Sequence, residues 1–435
     1  MTAALQGRTL VSLGFTWLDA VVWGVITFSI LIVLHEGGHF LAARAFRVKV
    51  HDFMIGLPGP ALSVVSKRSG TRYGVTAVPL GGYVRIAGMD FGPEDDLLGR
   101  ALAVAADAGT LWTSDLAREL DVELERAQAI ATTLVDWGAL EHLDEDGTHL
   151  RALVARYDGE ADADLAARAR VSTYRGLATW KRIVLLTAGI LVNVVVAYTV
   201  LVAVIAVAGE ATASTRVADV SHGAKAAGIA AGDRFLSVDG VDVSTFAEVK
   251  ARVARHTAGD VITVRVDRGG EALTLPVTLT AVDDGAGGKA VVMGVSAALD
   301  YGPVPLGEAF GTAAQLVTLV GAAILSFFNP DTFREAVAGA RSVIGASEEI
   351  AKAVKAGPVD YAWLVALLSL SLGLMNLVPI PPLDGGKVLL ELVERAIGRP
   401  LSRKFSIALS ASGAVLLFSL VGYLMYADVA RLITG

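Results

Sequence analysis

Four long apolar stretches are separated by polar or mixed segments along the chain. They cover residues 13–34, 183–208, 361–382 and 405–426, and the first carries a single charge, Asp19, over 22 residues. A helix of that length is about 33 Å long, enough to cross the hydrocarbon core of a bilayer. The pattern therefore predicts four membrane-spanning helices.

Basic residues flank these four stretches in a consistent way. They cluster after the first and third stretches and before the second and fourth. Because Lys and Arg are enriched in cytoplasmic loops, the pattern predicts a multi-pass protein of the cell membrane with both termini outside. The clusters are Arg44, Arg47 and Lys49; Lys181 and Arg182; Lys387, Arg395 and Arg399; and Arg403 and Lys404.

A fifth apolar stretch, residues 304–328, carries only Glu308. If it crossed the membrane, the third and fourth predicted spans would invert and their basic flanks would face outward. We therefore expect it to lie at the outer membrane surface or against the other spans, within an amphipathic region at 304–358.

Composition agrees with a membrane protein. Of the 435 residues, 54% are hydrophobic and 19% are charged, and the mean hydropathy is +0.57. These values are more apolar than a typical soluble domain. The chain has no cysteine, so a metal ion would have to be bound by His, Asp or Glu.

A metal-binding motif lies at the end of the first predicted span. His35 and His39 stand four residues apart, with Glu36 between them. Residues four apart share one face of a helix, so both imidazoles can bind one ion. The pattern is the His-Glu-x-x-His arrangement of zinc hydrolases. The alternative, two histidines satisfied by helix packing, is disfavoured because ionisable groups at membrane depth are costly.

Asp384 is the candidate for a third ligand, which a hydrolytic zinc site needs beside one open position. It closes the sequence NLVPIPPLD at 376–384, where prolines break the backbone at membrane depth. The first and third predicted spans run in the same direction, so Asp384 and the two histidines share a depth near the cytoplasmic side. An ordinary turn aspartate is the alternative for this residue taken alone.

These motifs together resemble the site-2 protease family of intramembrane zinc metalloproteases. The resemblance is strongest to the bacterial branch that cleaves anti-sigma factors and signal-peptide remnants. It continues through residues 39–44, 79–83 and 187–193, which read HFLAAR, PLGGY and TAGILVN. It covers most of the chain except roughly 91–175.

The resemblance implies a site and a chemistry. His35, His39 and Asp384 would bind Zn²⁺, and Glu36 would be the general base that activates water. The substrates would be single-span membrane proteins, cut within their transmembrane segments. The alternative is a catalytically inactive membrane adaptor, against which the intact set of four residues argues. A transporter would need inverted repeats, which the sequence lacks.

The resemblance also implies how substrate is held. Asn376 and Asn193 match asparagines that lie near the substrate or the active site in the family. Residues 51–89 match a membrane re-entrant β-loop, whose sheet edge can pair with an extended substrate. The β-prone runs of this segment are 62–66, 73–78 and 83–86.

Residues 213–299 resemble a PDZ domain of bacterial membrane and periplasmic proteases. A strand, a small-residue turn, a short helix and a Gly-Asp pair before a second strand carry the resemblance. PDZ grooves bind an extended peptide by strand addition, so a peptide or protein ligand is implied outside the membrane. In the family such domains restrict access of substrate to the active site.

Residues 91–175 form an acidic insert that the family does not predict. Helical patterns at 113–121 and 124–140 and a hairpin pattern at 139–153 resemble a winged helix-turn-helix placed in the cytoplasm. Residues 90–170 contain 19 Asp or Glu, seven Arg and no Lys, a net charge of about −12. Phosphate contacts need clustered Lys and Arg, so we expect a protein partner and no nucleic acid. The alternative is a solvated spacer with no partner. The predicted core of the insert is Leu111, Trp112, Leu116, Leu120, Ala129, Ile130, Leu134, Trp137 and Leu140.

The expected fold is therefore an α-helical polytopic membrane protein with four spans and a re-entrant β-loop. A β-rich PDZ domain and an α+β winged-helix-like insert are added to it. The expected boundaries are 13–50, 183–208, 361–390 and 405–427 for the segments with the four spans, 51–89 for the β-loop, 91–175 for the insert, 213–299 for the PDZ domain and 304–358 for the amphipathic region.

Overall fold

A computed structural model describes the chain in two compact units. One unit comprises residues 1–201 and 313–435, and the other comprises residues 202–312. The described residues are 17–78, 81–89, 94–283, 289–302 and 304–434. Positions 13–16 of the first predicted span, 79–80 of the PLGGY motif and 91–93 of the insert lie outside them.

The first unit begins with helix α1 (Trp17–Ala45), followed directly by a four-stranded sheet. The order in the sheet is β2-β3-β1-β4, with β1 parallel to β3 and antiparallel to β4. Strand β4 therefore pairs on one side only. The three predicted strands are present as β2 to β4, whereas β1 was not predicted. The strands are β1 (Val50–Ile55), β2 (Ala61–Val65), β3 (Arg72–Thr76) and β4 (Gly82–Ile86).

The acidic insert folds around its own core. Three helices and a short strand precede an antiparallel hairpin, a further helix follows it, and the sheet has the order β5-β7-β6. The two predicted helices and the predicted hairpin are confirmed as α3, α4 and the β6–β7 pair. The elements are α2 (Leu98–Ala108), β5 (Thr110–Trp112), α3 (Thr113–Leu120), α4 (Leu124–Trp137), β6 (Leu140–His142), β7 (His149–Ala152) and α5 (Asp162–Arg170).

Seven of the nine predicted core residues of the insert are buried. The prediction was wrong for Trp112 and Ala129, which are exposed. Trp112 follows the buried Leu111 on an edge strand, so alternation turns it outward. Ala129 lies beside the buried Ile130 on the outer face of α4.

Helix α6 (Thr179–Ala208) leads into the second unit, which is a β-rich fold. Five strands form a sheet in the order β12-β11-β9-β8-β15, with β10 paired to β9 and a separate β13–β14 pair. The core includes Phe235, Val238, Phe246 and Val264. The elements are β8 (Glu210–Val220), α7 (His222–Ala226), β9 (Arg234–Val238), β10 (Val241–Asp242), α8 (Phe246–Val253), β11 (Val261–Arg268), β12 (Glu271–Thr278), β13 (Thr280–Asp283), β14 (Lys289–Val292) and β15 (Val295–Gly302).

Six further helices follow. The range 361–390, expected to hold one span with its motif, contains two helices, because α12 ends at Asn376 and α13 begins at Asp384. Prolines at 379, 381 and 382 remove backbone donors from the connection between them. The helices are α9 (Leu306–Leu325), α10 (Phe333–Gly339), α11 (Val343–Ala356), α12 (Pro358–Asn376), α13 (Asp384–Ile397) and α14 (Arg403–Thr434).

Among the described residues, five helices are long and apolar enough to cross a membrane. Four of them, α1, α6, α12 and α14, coincide with the predicted spans. The fifth is α9, which together with the turn that follows it covers Leu306–Phe328. Length and composition place α9 among the candidates, so the count of four spans stays a prediction.

Candidate metal centre

Helix α1 brings two histidines to one buried face. His35 and His39 are one turn apart, and only 6% and 7% of their surfaces are exposed. Their ring centroids lie 4.9 Å apart in an edge-to-face arrangement. The four-residue spacing thus produces the shared face that the sequence predicts.

Asp384 is the first residue of α13 and is also buried. Two glycines allow its helix to start against the preceding turn. A Cβ on Gly385 would lie 2.6 Å from the carbonyl oxygen of Val378, and a Cβ on Gly386 would lie 2.6 Å from Cα of Pro381. The Asp-Gly-Gly sequence therefore allows a tight chain reversal that carries the carboxylate to the histidines.

The three side chains converge on one point. Oδ2 of Asp384 lies 2.9 Å from Nε2 of His35 and 3.0 Å from Nε2 of His39, and the two nitrogens are 3.3 Å apart. Two ligands bound tetrahedrally to zinc at 2.0–2.1 Å would lie about 3.3–3.4 Å apart. The three donor atoms are therefore within a few tenths of an ångström of tetrahedral spacing, and the donor types suit zinc.

Neighbouring groups set which ring nitrogen can bind a metal. The carbonyl oxygen of Leu185 on α6 accepts a hydrogen bond of 2.8 Å from Nδ1 of His39. In the neutral ring the proton of His39 is therefore on Nδ1, which leaves the lone pair of Nε2 for a metal ion. This is the usual outer contact of a metal-bound histidine.

Asn193 has the corresponding position beside His35. It is fully buried on α6, with its amide nitrogen 3.5 Å from Nδ1 of His35 and its Oδ1 without a described hydrogen-bond partner. A metal on Nε2 would leave the proton on Nδ1. If the amide of Asn193 is turned by 180°, its Oδ1 can accept a hydrogen bond from Nδ1–H of His35, and the buried oxygen then has a partner. The environment of Asn193 thus fits a metal-bound His35.

Helix α6 packs against the two histidines at a glycine that the sequence analysis did not single out. A Cβ on Gly189 would lie 2.5 Å from Nε2 of His39 and 2.8 Å from the carbonyl oxygen of His35. Opposite it, a Cβ on Gly38 would collide with the backbone of Ala188. The signal available in the sequence is the pair of glycines within the otherwise apolar helices. Their partners are set only by the fold.

Glu36 and Asn376 are the remaining predicted site residues, and they differ in how they are placed relative to the two histidines and Asp384. Glu36 is half-buried on α1, beside Gly82 of strand β4. Lys387, which the sequence analysis did not assign to the site, binds Oδ1 of Asp384 through its Nζ at 3.1 Å. Asn376 donates to the carbonyl oxygen of Leu372 within α12 at 2.9 Å, and no described hydrogen bond joins it to the three metal-ligand candidates.

A buried ion pair anchors the helix that carries Asp384. Arg182 of α6 binds Glu391 of α13 at 2.9 Å, and the hydroxyl group of Tyr174 lies 3.2 Å from the same carboxylate. Glu391 is two helical turns beyond Asp384 and is 8% exposed. Two carboxylates of α13 therefore hold this helix in place: Asp384 contacts the histidines of α1, and Glu391 contacts Arg182 of α6.

Nearly the whole chain matches a family model and several known proteins. The family model described as peptidase family M50 matches residues 23–420. A curated protein of Mesorhizobium japonicum is 29% identical over 433 residues, which cover 95% of this chain and 99% of that protein.

Two further relatives carry the name zinc metalloprotease RasP. The one from Shouchella clausii is 27% identical and covers 94% of this chain and 98% of its own, and the one from Bacillus licheniformis is 26% identical and covers 95% and 100%. Among solved structures, the PDZ domain of an SdrC-like protein from Listeria monocytogenes matches 20% of this chain and 86% of its own. That match has 20% identity and a TM-score of 0.16.

Proposed function

The chain belongs to peptidase family M50 and is an intramembrane zinc metalloprotease, and we propose that His35, His39 and Asp384 are its zinc ligands. The observation that carries this assignment is the convergence of their three donor atoms at 2.9–3.3 Å. A fourth tetrahedral position is then left for water or substrate, as in other hydrolytic zinc sites.

We propose Glu36 as the general base. When bound, zinc polarises the scissile carbonyl and lowers the pKa of a coordinated water. Glu36 adjoins His35 on the same helix, so it can accept the proton of the attacking water and pass it to the leaving amine. The contact of His39 with Leu185 and that of Asp384 with Lys387 keep two of the ligands oriented.

The proposed substrates are single-span membrane proteins, including anti-sigma factors or signal-peptide remnants. A transmembrane helix satisfies its own backbone, so it must unwind before a peptide bond is exposed. Strand β4 pairs on one side only, and its Gly82 lies beside Glu36. An extended substrate can therefore add to β4 next to the base. Asn376 and Asn193 are proposed as polar groups near that substrate.

We propose that four helices, α1, α6, α12 and α14, cross the cell membrane, with α9 at its outer surface. Both termini would lie outside and the metal centre near the cytoplasmic side. The basic residues that flank these four helices support this orientation.

We propose that residues 213–299, within the unit at 202–312, are a PDZ domain that restricts access of substrate. The order strand, short helix, strand in β8, α7 and β9 supports this assignment. A cavity of about 590 Å³ in this unit is lined by Val220, Phe246 and Met293 and would accept an extended peptide.

We propose that the insert is a winged-helix-like module that binds protein and not nucleic acid. The order α2-β5-α3-α4-β6-β7 with a three-stranded sheet supports the fold. Six of its seven arginines are ion-paired to carboxylates, and Arg100 donates to a backbone carbonyl. The cations that a phosphate backbone requires are thus already engaged.

Reconstitution with a single-span substrate in lipid vesicles tests the assignment. Glu36→Gln should retain zinc and fold but abolish cleavage, because the amide keeps the shape of the side chain and cannot accept a proton. The double variant His35→Ala/His39→Ala should lose the metal. Near-normal turnover by Glu36→Gln, or stoichiometric zinc in the double variant, would contradict the proposal.

A further inference from the structure

A large cleft lies between the insert and the membrane-embedded part of the same unit. Its volume is about 800 Å³, and the elements that line it include strand β4, helix α4, strand β6 and helix α13. Val84 and Arg85 come from β4, Val135 from α4, Glu141 from β6, and Lys387 and Leu390 from α13. Two of these elements, α4 and β6, belong to the insert, so the insert contributes part of the lining.

Two residues that line the cleft adjoin the metal centre. Lys387 lines the cleft and binds Asp384 at 3.1 Å. Leu186 also lines it and follows Leu185, whose carbonyl oxygen accepts a hydrogen bond from Nδ1 of His39. Strand β4 links the two, because its Gly82 lies beside Glu36 and its Val84 and Arg85 line the cleft.

The insert side of the cleft is held firmly in place. Asp136, near the end of α4, accepts a hydrogen bond of 2.6 Å from the backbone N–H of Gly88, just after β4. His51 of β1 donates to the backbone carbonyl oxygen of Asp136 at 2.7 Å. The side chain and the backbone of Asp136 thus connect α4 by hydrogen bonds to His51 of β1 and to Gly88 after β4. A second tie joins Lys49 N–H to the carbonyl oxygen of Ser172 at 2.8 Å.

Several charges along the cleft are paired within the protein. Arg85 binds Asp52 at 2.8 Å, Glu391 binds Arg182 at 2.9 Å, and Glu141 binds Arg151. A strongly charged ligand would have to compete with these pairs. The lining also includes Lys49, residues of β4, which pairs on one side only, and apolar side chains such as Val84, Val135 and Leu390. An edge strand facing apolar side chains suits an extended, mostly uncharged peptide.

We propose that this cleft receives the substrate segment that continues from the scissile bond toward the insert, and that α4 and β6 select which segments fit. This inference rests on the proposed function of the metal centre. It assigns the insert a direct role in substrate choice. The occupant is part of the substrate itself, here called the flank.

Photo-crosslinking in the full-length Glu36→Gln variant tests occupancy without needing turnover. A benzophenone amino acid at Thr132, an exposed residue of α4 that lines the cleft, should crosslink to the flank of a single-span probe protein in lipid vesicles. The same group at Gln128, one turn earlier on α4, exposed and outside the cleft lining, is the matched control. Crosslinks to lipid only, or equal crosslinking from both positions, would overturn the proposal.

Cleavage kinetics in the active protein provide the second arm. Thr132→Trp should narrow the cleft and lower kcat/KM about tenfold for a probe with its flank, while a probe truncated just past the scissile bond is cut as before. Gln128→Trp should leave both probes unaffected, and zinc content should be unchanged in both variants. Equal losses for the two probes, or no loss for either, would overturn the cleft assignment. If the wild-type protein cuts neither probe, the proposed function fails instead, and the crosslinking result still decides occupancy.

Discussion

Gly189 offers a sharp test of the metal centre, because it is where α6 approaches the histidines most closely. In Gly189→Ala, the new Cβ would lie 2.5 Å from Nε2 of His39, 2.8 Å from the carbonyl oxygen of His35 and 2.9 Å from its Cε1. An ordinary contact begins at 3.4 Å, so atoms of both histidines must move by 0.5–0.9 Å. A metal-bound imidazole ring and the backbone of helix α1 cannot easily move by this distance.

The size of the effect follows from metal geometry. Metal–ligand distances tolerate changes of about 0.2 Å, which is less than the displacement required. Disturbing the surroundings of a ligand typically lowers metal affinity about 10–100-fold, which corresponds to about 1.4–2.8 kcal/mol. We therefore expect Gly189→Ala to bind zinc at least tenfold more weakly and to lose a similar factor in activity at limiting zinc.

Competition with a chromophoric zinc chelator, on protein purified in detergent, measures this directly. Gly37→Ala is the matched control, since it lies on α1 between the two histidines and its new Cβ would meet no atom within 4 Å. The control should bind zinc like the wild type, because Ala is a better helix former than Gly. Circular dichroism should show both variants folded. Zinc affinity of Gly189→Ala within twofold of wild type would refute the packing described around the site.

Three further predictions concern the parts outside the metal centre. Burial raises the pKa of Asp136, but hydrogen bonds from His51 and Gly88 outweigh it and hold the pKa below its ordinary value. Docking of the insert should therefore gain stability from this carboxylate above about pH 4 and lose it as the pH falls through the lower folded pKa. Asp136→Asn should increase hydrogen exchange in α4 at neutral pH, and unchanged exchange would contradict this. Deletion of 213–299 should leave catalysis intact and broaden the substrates cut, and a folded, zinc-loaded deletion variant without activity would count against gating. The fragment 91–170 should fold alone and show no appreciable binding to duplex DNA at about 0.15 M salt, whereas salt-sensitive submicromolar binding would overturn the charge argument.

Local patterns predicted the elements well. Three strands of the β-loop, two helices of the insert and its hairpin lie where alternation, helical period and turn residues place them. Strand β1 was missed because residues 50–55 read VHDFMI, in which two adjacent polar residues and three adjacent apolar ones break the alternation typical of a strand. Trp112 was misassigned to the core because hydrophobicity does not indicate which face of an edge strand is covered.

The sequence by itself determined the types of donor atom and the spacing of two of them. His35 and His39 share a helix face because of a local period of 3.6 residues, and a chain without cysteine leaves only His and carboxylates as partners. It also determined which segments are apolar enough to cross a membrane. All of these properties depend on residues close together in the chain.

The tertiary structure alone decided what meets those donors. Asp384 lies 345 residues from His39, and its distance of 3.0 Å depends on a proline-broken turn and two glycines that let α13 begin there. The approach of Gly189 and the contact of Asn193 with His35 likewise require α6 to pack at one rotation and height against α1. Such packing results from the summed contacts of whole helices, and no local sequence pattern encodes it.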